Sequence, residues 1–187
     1  MKQKKALTPG SLLISKPLIG DGFFEQSVVY LTNHTEEGSL GFTLNKESNL
    51  RAQDFIEDLN GIDPIYYGGP VEQDGLFFLH NYDALPGAAS VGNGLYLGGD
   101  FEIFQQMFRN ARSSQRPTTP PKLFLGYSGW SPGQLEEEIL NDTWIVVHSP
   151  LAVNPLKADL NTWREMMLKL GGEYKFWANA PEDPWMN

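Results

Sequence analysis

His34, His80 and His148 are the only imidazoles in the chain. No two of them share the four-residue spacing of a zinc-binding helix, and each follows an apolar, strand-like run, so we read them as satisfied or surface side chains and not as metal ligands. The chain has no cysteine, which removes thiolate, disulfide and cysteine-ligated metal chemistry. Gly126-Tyr127-Ser128-Gly129-Trp130 resembles a nucleophile elbow, but that turn needs a glycine two positions after the serine, and Trp130 stands there. We read the segment as a tight strand-to-helix corner in which the glycines permit close packing and Trp130 fills core volume. Gly92-Asn93-Gly94 lacks the third glycine of a dinucleotide fingerprint, and no segment supplies the Gly-Lys-Ser/Thr of a phosphate loop. No catalytic, cofactor-binding or metal-binding residue is assigned. Glu136, Glu137 and Glu138 are successive, so on a helix they fan around the axis about 100° apart and do not converge on one substrate. A solvated acidic face is the simpler reading, a docking surface for a basic partner the second.

Short elements must position these residues. Ser11 to Ser15 and Ser27 to Thr32 read as strands, and Leu40, Phe42 and Leu44 alternate with Gly41 and Thr43 at period 2. The turn signal Thr35-Glu36-Glu37-Gly38 predicts a hairpin between the last two. Ala52, Phe55, Ile56 and Leu59 carry helical spacing with Gly61 as a stop. Ile65 to Tyr67, Leu76 to Leu79, Leu95 to Leu97, Leu123 to Leu125 and Thr143 to Val147 read as further strands. Asp100 is placed to cap a helix through Phe101, Phe104 and Phe108 that ends before Pro117. Ser131 as N-cap, Pro132 at the first helical position and Gln134 at the third predict a capping box. A last helix should open at Asn154-Pro155, bury Leu156, Leu160, Trp163 and Met167, and stop at Gly171-Gly172. The aromatic segment after it, through Tyr174, Phe176, Trp177 and Trp185, is expected to dock on the domain with Tyr174 and Phe176 on one face of an extended strand. Strands and helices alternate irregularly, which predicts α+β over a doubly wound parallel sheet.

The chain has 187 residues, 41% hydrophobic and 20% charged, enough apolar side chains for a sizeable core and too few charges for general disorder. A net charge of −9 opposes contact with phosphate backbones, and no basic run is longer than Lys2 to Lys5. The apolar stretch Leu12 to Ile14 is broken by Ser15, Lys16 and Pro17, shorter than a signal-peptide core or a membrane span, which places the protein in the cytoplasm as an expectation.

Several segments resemble one bacterial family, the AlgH/YqgE proteins. They are Gly10-Ser11-Leu12-Leu13-Ile14, Phe24 to Val29, Gly41 to Asn45, Gly68-Gly69-Pro70-Val71 and, above all, Gly126 through Glu138. The resemblance spans roughly residues 10 to 170. It implies one α+β domain over 1–187, with a mixed, bifurcated sheet curled into a pseudo-barrel and flanking helices, and 173–187 as an aromatic C-terminal extension. Its motifs nominate Asn45, Gly68, Gly69, Pro70, Gly126, Tyr127, Gly129, Trp130, Gln134 and Glu138 as family-motif or interaction residues. The family has no established reaction and is described as transcriptional regulators. Some members carry a cysteine of redox interest, and this chain has none. With an acidic chain and no helix-turn-helix, the expected mode is a protein or small-ligand partner, without direct specific nucleic-acid binding and without a membrane; a homo-oligomer is compatible. The alternative is an enzyme with a site in a cleft near Gly68 to Pro70 and Gly126 to Trp130.

Overall fold

The computed structural model describes residues 7–17, 22–56, 59, 62, 64–109, 117–148 and 153–179. Lys2 to Lys5, Gly61 and Trp185 lie outside them. The strands are β1 (Leu12–Ser15), β2 (Val28–Thr35), β3 (Gly38–Thr43), β4 (Tyr66–Tyr67), β5 (Val71–His80), β6 (Ala89–Ser90), β7 (Tyr96–Leu97), β8 (Lys122–Trp130) and β9 (Trp144–Val147). The helices are α1 (Ala52–Phe55), α2 (Phe101–Arg109), α3 (Gln134–Leu140), α4 (Thr162–Leu170) and α5 (Tyr174–Trp177), with a 3₁₀ turn at Pro155–Lys157.

All nine strands join one sheet in the order β6-β7-β5-β8-β3-β2-β1-β9, with β4 added beside β8. Every pairing is antiparallel except β4 on β8, so the sheet is mixed through a single two-residue contact. It is also bifurcated. Along one side of β8, Phe124 and Leu125 pair with β4, and Ser128 to Trp130 pair with β3. The terminal strands β6 and β9 are not paired with each other, so the order is not closed into a barrel.

Both faces of the sheet are covered, which is why the strands read as unbroken apolar runs. Leu12, Ile14, Val28, Tyr30 and Phe42 pack with Trp163, Met166 and Met167 of α4. Leu13, Val29 and Leu31, the alternate residues, pack with Trp130, Trp144 and Leu135 of α3. Beyond the fork, Phe78, Leu123 and Leu125 pack with Phe104 and Phe108 of α2.

Several expected elements take a different form. The first helix stops at Phe55, where Ile56 turns extended, and the Phe55 ring is half exposed. The last helix is split: Ala158 leaves the 3₁₀ turn in an extended conformation and α4 begins only at Thr162, leaving Leu160 exposed. α3 begins at Gln134, after a left-handed Gly133, so the capping-box residues form a turn ahead of the helix. The aromatic segment is not extended: residues 174–177 are helical, Tyr174 packs on the core and Phe176 faces solvent. Most consequentially, Gly126 to Trp130 is not a strand-to-helix corner. It continues β8.

Candidate functional site

The motif residues gather at two places. At the fork, β8 bends at Gly126, whose φ is +67°. A Cβ on Gly68 would overlap the Gly126 carbonyl, and one on Gly69 would overlap the Tyr127 carbonyl. On Gly126 itself it would lie 2.6 Å from the Val71 carbonyl oxygen, on a backbone already unfavourable for any side chain. The Gly68 carbonyl accepts from Ser128 Oγ at 2.9 Å and from the Thr43 N–H at 2.8 Å, which ties β8 and β3 at the point where they diverge from β4. Ser128 is fully buried and spends its hydroxyl there. Asn45 acts in the same layer: its Oδ1 accepts from the Val28 N–H at 2.9 Å and its Nδ2 donates to the Gln26 carbonyl at 2.8 Å, fixing the entry to β2. Pro70 is exposed in the bend between β4 and β5. Tyr127 packs edge-on against Phe77, and Gly129 is exposed, with the Tyr127 ring as the nearest obstacle to a side chain.

The second cluster centres on Glu138. Its Oε2 accepts from the indole N–H of Trp130 at 2.9 Å and of Trp144 at 2.7 Å, and its Oε1 accepts from Gln134 Nε2 at 3.0 Å. Gln134 in turn accepts from the Ser131 N–H at 3.0 Å through its own Oε1, the half of the capping box that the sequence foretold. Trp130 is buried and packs edge-on against Trp144. Glu138 therefore leaves the acidic face read from the sequence and clamps α3 to β8 and β9. Glu136 lies 3.5 Å from His34 Nε2, while Glu137 is exposed.

The histidines stand apart in the fold. His34 pairs with Ser39 Oγ at 2.8 Å through Nδ1. His148 Nδ1 meets Ser11 Oγ at 3.0 Å. His80 is fully buried, donates from Nε2 to the Gly98 carbonyl at 2.8 Å and accepts the Tyr82 N–H at Nδ1, a pattern that defines a neutral ring whose pKa burial lowers. Among the described residues no group of three His, Cys, Asp or Glu side chains could hold a metal ion.

One group escaped the sequence reading. Lys122, the first residue of β8, is buried, donates to the Ala158 carbonyl and lies 3.3 Å from the centre of the Tyr66 ring. Burial pulls its pKa down to about 7 against the opposing pull of Glu47 and Asp159. A neutral amine is a nucleophile, yet this one is covered by a carbonyl and an aromatic face. It fastens the segment before α4 to the sheet.

The concave surface lies elsewhere. A cavity of about 340 Å³ opens between β1, β2, the loop joining β6 to β7, and residues 153–156, and a second of about 490 Å³ borders α2 and Asn81 to Leu85. None of the nominated residues from Asn45 to Glu138 lines either one, whereas Gly10 and Leu12 of the first family segment line the first. At the first, Tyr30 donates its hydroxyl to the carbonyls of Val91 and Gly92 at 3.0 and 2.9 Å, holding the β6–β7 hairpin on the sheet; burial pushes the phenol up to about 12.

The AlgH-like family model matches residues 12–175. The chain belongs to the AlgH-like family. Its AlgH-like relatives include UPF0301 proteins of Parabacteroides distasonis, 39% identical over 95% of this chain and 90% of that protein, and of Bacteroides thetaiotaomicron, 37% identical over the same shares. Among solved structures, the solution structure of AlgH from Pseudomonas aeruginosa aligns with a TM-score of 0.68 at 26% identity, over 97% of this chain and 98% of that one. Protein DIP2367 of Corynebacterium diphtheriae aligns at 0.74 with 20% identity over 94% of each chain, a likeness of fold. The AlgH-like sheet, with its fork at β8, is thus the frame in which the motif glycines must be read. No helix among the described residues is long and apolar enough to cross a membrane.

Proposed function

We propose that this AlgH-like protein is a non-catalytic cytoplasmic protein that acts by binding a protein or small-ligand partner, and that any effect on transcription passes through that partner and not through direct DNA contact. The observation that carries the reading is how the family motif is used. Gly68, Gly69 and Gly126 are consumed in backbone packing, and Ser128, Gln134 and Glu138 spend their polar atoms on partners inside the fold. The segments around the fork and Glu138 thus build a scaffold, and recognition is left to surfaces outside them. The charge of −9 adds an unfavourable field toward phosphate backbones.

Three measurements test this. In a mobility-shift titration at physiological salt, the purified chain should show no sequence-dependent retardation of duplex DNA; specific submicromolar binding would overturn the indirect mode. Affinity capture with the tagged full chain, followed by reciprocal capture with each recovered protein and by ligand extraction and mass spectrometry, should return a reproducible partner or bound small molecule. Turnover of a substrate that survives mutation of neither cavity would overturn the non-catalytic reading.

A further inference from the structure

We propose that the cavity between the β6–β7 hairpin and residues 153–156 binds an uncharged, planar heterocycle of the nucleobase class, free or as its nucleoside. The inference deepens the binding function proposed above and rests on it.

Leu12, Leu95, Val153 and Leu156 give the cavity apolar walls, and Asn81, Asn93, Thr119 and Asn154 supply the polar side chains. No Lys, Arg, His, Asp or Glu is among the described residues that line it, in a chain with 23 acidic and 14 basic side chains. Asn81, Asn93 and Asn154 are exposed at the rim of these apolar walls, where carboxamides orient a bound molecule by hydrogen bonds and offer an ion no counter-charge.

Two of the carboxamides are already oriented. Asn93 donates its Nδ2 to the Gly10 carbonyl at 3.0 Å, so the end left over is the Oδ1 acceptor. Asn154 accepts the Leu156 N–H on its Oδ1 at 3.0 Å, so the end left over is the Nδ2 donor. Each of these two lining residues therefore keeps one polar end without a partner among the described residues, an acceptor on Asn93 and a donor on Asn154, and Asn81 and Thr119 also line the cavity. A ring edge that carries an amino or imino donor and a ring-nitrogen or carbonyl acceptor complements both groups, one contact to each residue. Asn93 keeps its position because Gly92, Asn93 and Gly94 all adopt positive φ, +88°, +54° and +71°. The glycine pair that fails as a phosphate-binding fingerprint here sets the aim of a carboxamide. The volume, about 340 Å³, suits a molecule of nucleoside size.

The test is a titration of the full-length ¹⁵N-labelled chain with adenine, adenosine, cytidine, guanosine, purine riboside and AMP, read by amide and side-chain carboxamide resonances. At least one base or nucleoside should give saturable shifts at about millimolar concentration or below, centred on Asn93 to Leu95 and residues 153–156. Comparison of adenine with adenosine separates a base site from a nucleoside site. Asn93→Ala and Asn154→Ala should each weaken binding by about tenfold, and Asn81→Ala, which removes a side chain with no hydrogen-bond partner among the described residues, should weaken it severalfold with the melting temperature unchanged. Purine riboside, which lacks the exocyclic amino group, should bind more weakly than adenosine, and AMP should bind no better. Absence of saturable shifts with every base and nucleoside, shifts centred elsewhere, or tighter binding of AMP than of adenosine would each overturn the ligand class. The captured partner of the preceding subsection would still stand in those cases, so the two failures are distinguishable.

Discussion

Glu138 illustrates how a single carboxylate can hold three elements. It receives two indole N–H groups and one amide N–H, and charge-assisted hydrogen bonds of this kind contribute more than neutral ones. Glu138→Ala should lower unfolding free energy by about 1–3 kcal/mol, because both indole donors, on buried rings, would be left without that acceptor. Trp130→Ala should cost about 3–5 kcal/mol by opening a cavity between α3 and the sheet. Urea denaturation midpoints check both, and an unchanged midpoint for Trp130→Ala would remove the ring from the core. The glycines offer a sharper contrast. Gly69→Ala must displace the β8 backbone and should prevent folding or lower the melting temperature severely, whereas Gly129→Ala meets only side chains, the Tyr127 ring at 3.3 Å and Val71 Cγ2 at 3.8 Å, and should be tolerated. Circular dichroism melting curves of the two variants decide this.

Lys122 connects β8 to the segment that leads into α4, and its energetics depend on pH. Its folded pKa, about 7, lies below that of an unfolded lysine, so between these values the unfolded chain binds the extra proton and stability rises with pH. Below about pH 7 both states are protonated and the full cost of the buried charge is present. Tyr66 does not compensate, since burial and Glu47 push its phenol upward, away from this range. The stability of wild type relative to Lys122→Met should therefore increase from pH 7 to pH 9; a flat difference would mean the ammonium is well solvated. At the same scale, Arg164 of α4 donates to the Ala178 carbonyl at 3.1 Å and to Asn179 Oδ1 at 3.0 Å, and Tyr174 packs on the core. Deleting the chain from Glu173 onward should lower the melting temperature, and one unchanged would make α5 a free appendage. The elements differ in how legible they were. The β2–β3 hairpin, α2 with the Asp100 side chain accepting the Ile103 N–H, and the Gly171 stop of α4 rest on local spacing and were readable. The run through Gly126 was not, because a glycine in a strand reads as a break, and only the approach of residues 68 and 69 explains why the strand continues. The role of Glu138 was hidden for a similar reason: its two indoles come from strands that only the tertiary fold brings together.

For the whole molecule, charge and topology set the behaviour. A net charge of −9 leaves repulsion that salt can screen, and a surface ion pair such as Lys16–Asp142 offsets little of it. The melting temperature should accordingly rise between low and physiological sodium chloride; a fall would point to attractive surface pairs that dominate. The topology has a temporal side. Leu12 to Ser15 sits between β2 and β9, and the Ser15 carbonyl accepts the Trp163 indole N–H at 2.8 Å. During synthesis at about 5–20 residues per second, the ribosome needs roughly several to tens of seconds after making Ser15 before Trp144 exists. Throughout that interval one flank of the N-terminal strand has no native neighbour, and its backbone donors and acceptors are open to any extended segment nearby. A nascent chain of this architecture is most exposed to misassembly at its beginning, and its protection arrives with its last strand.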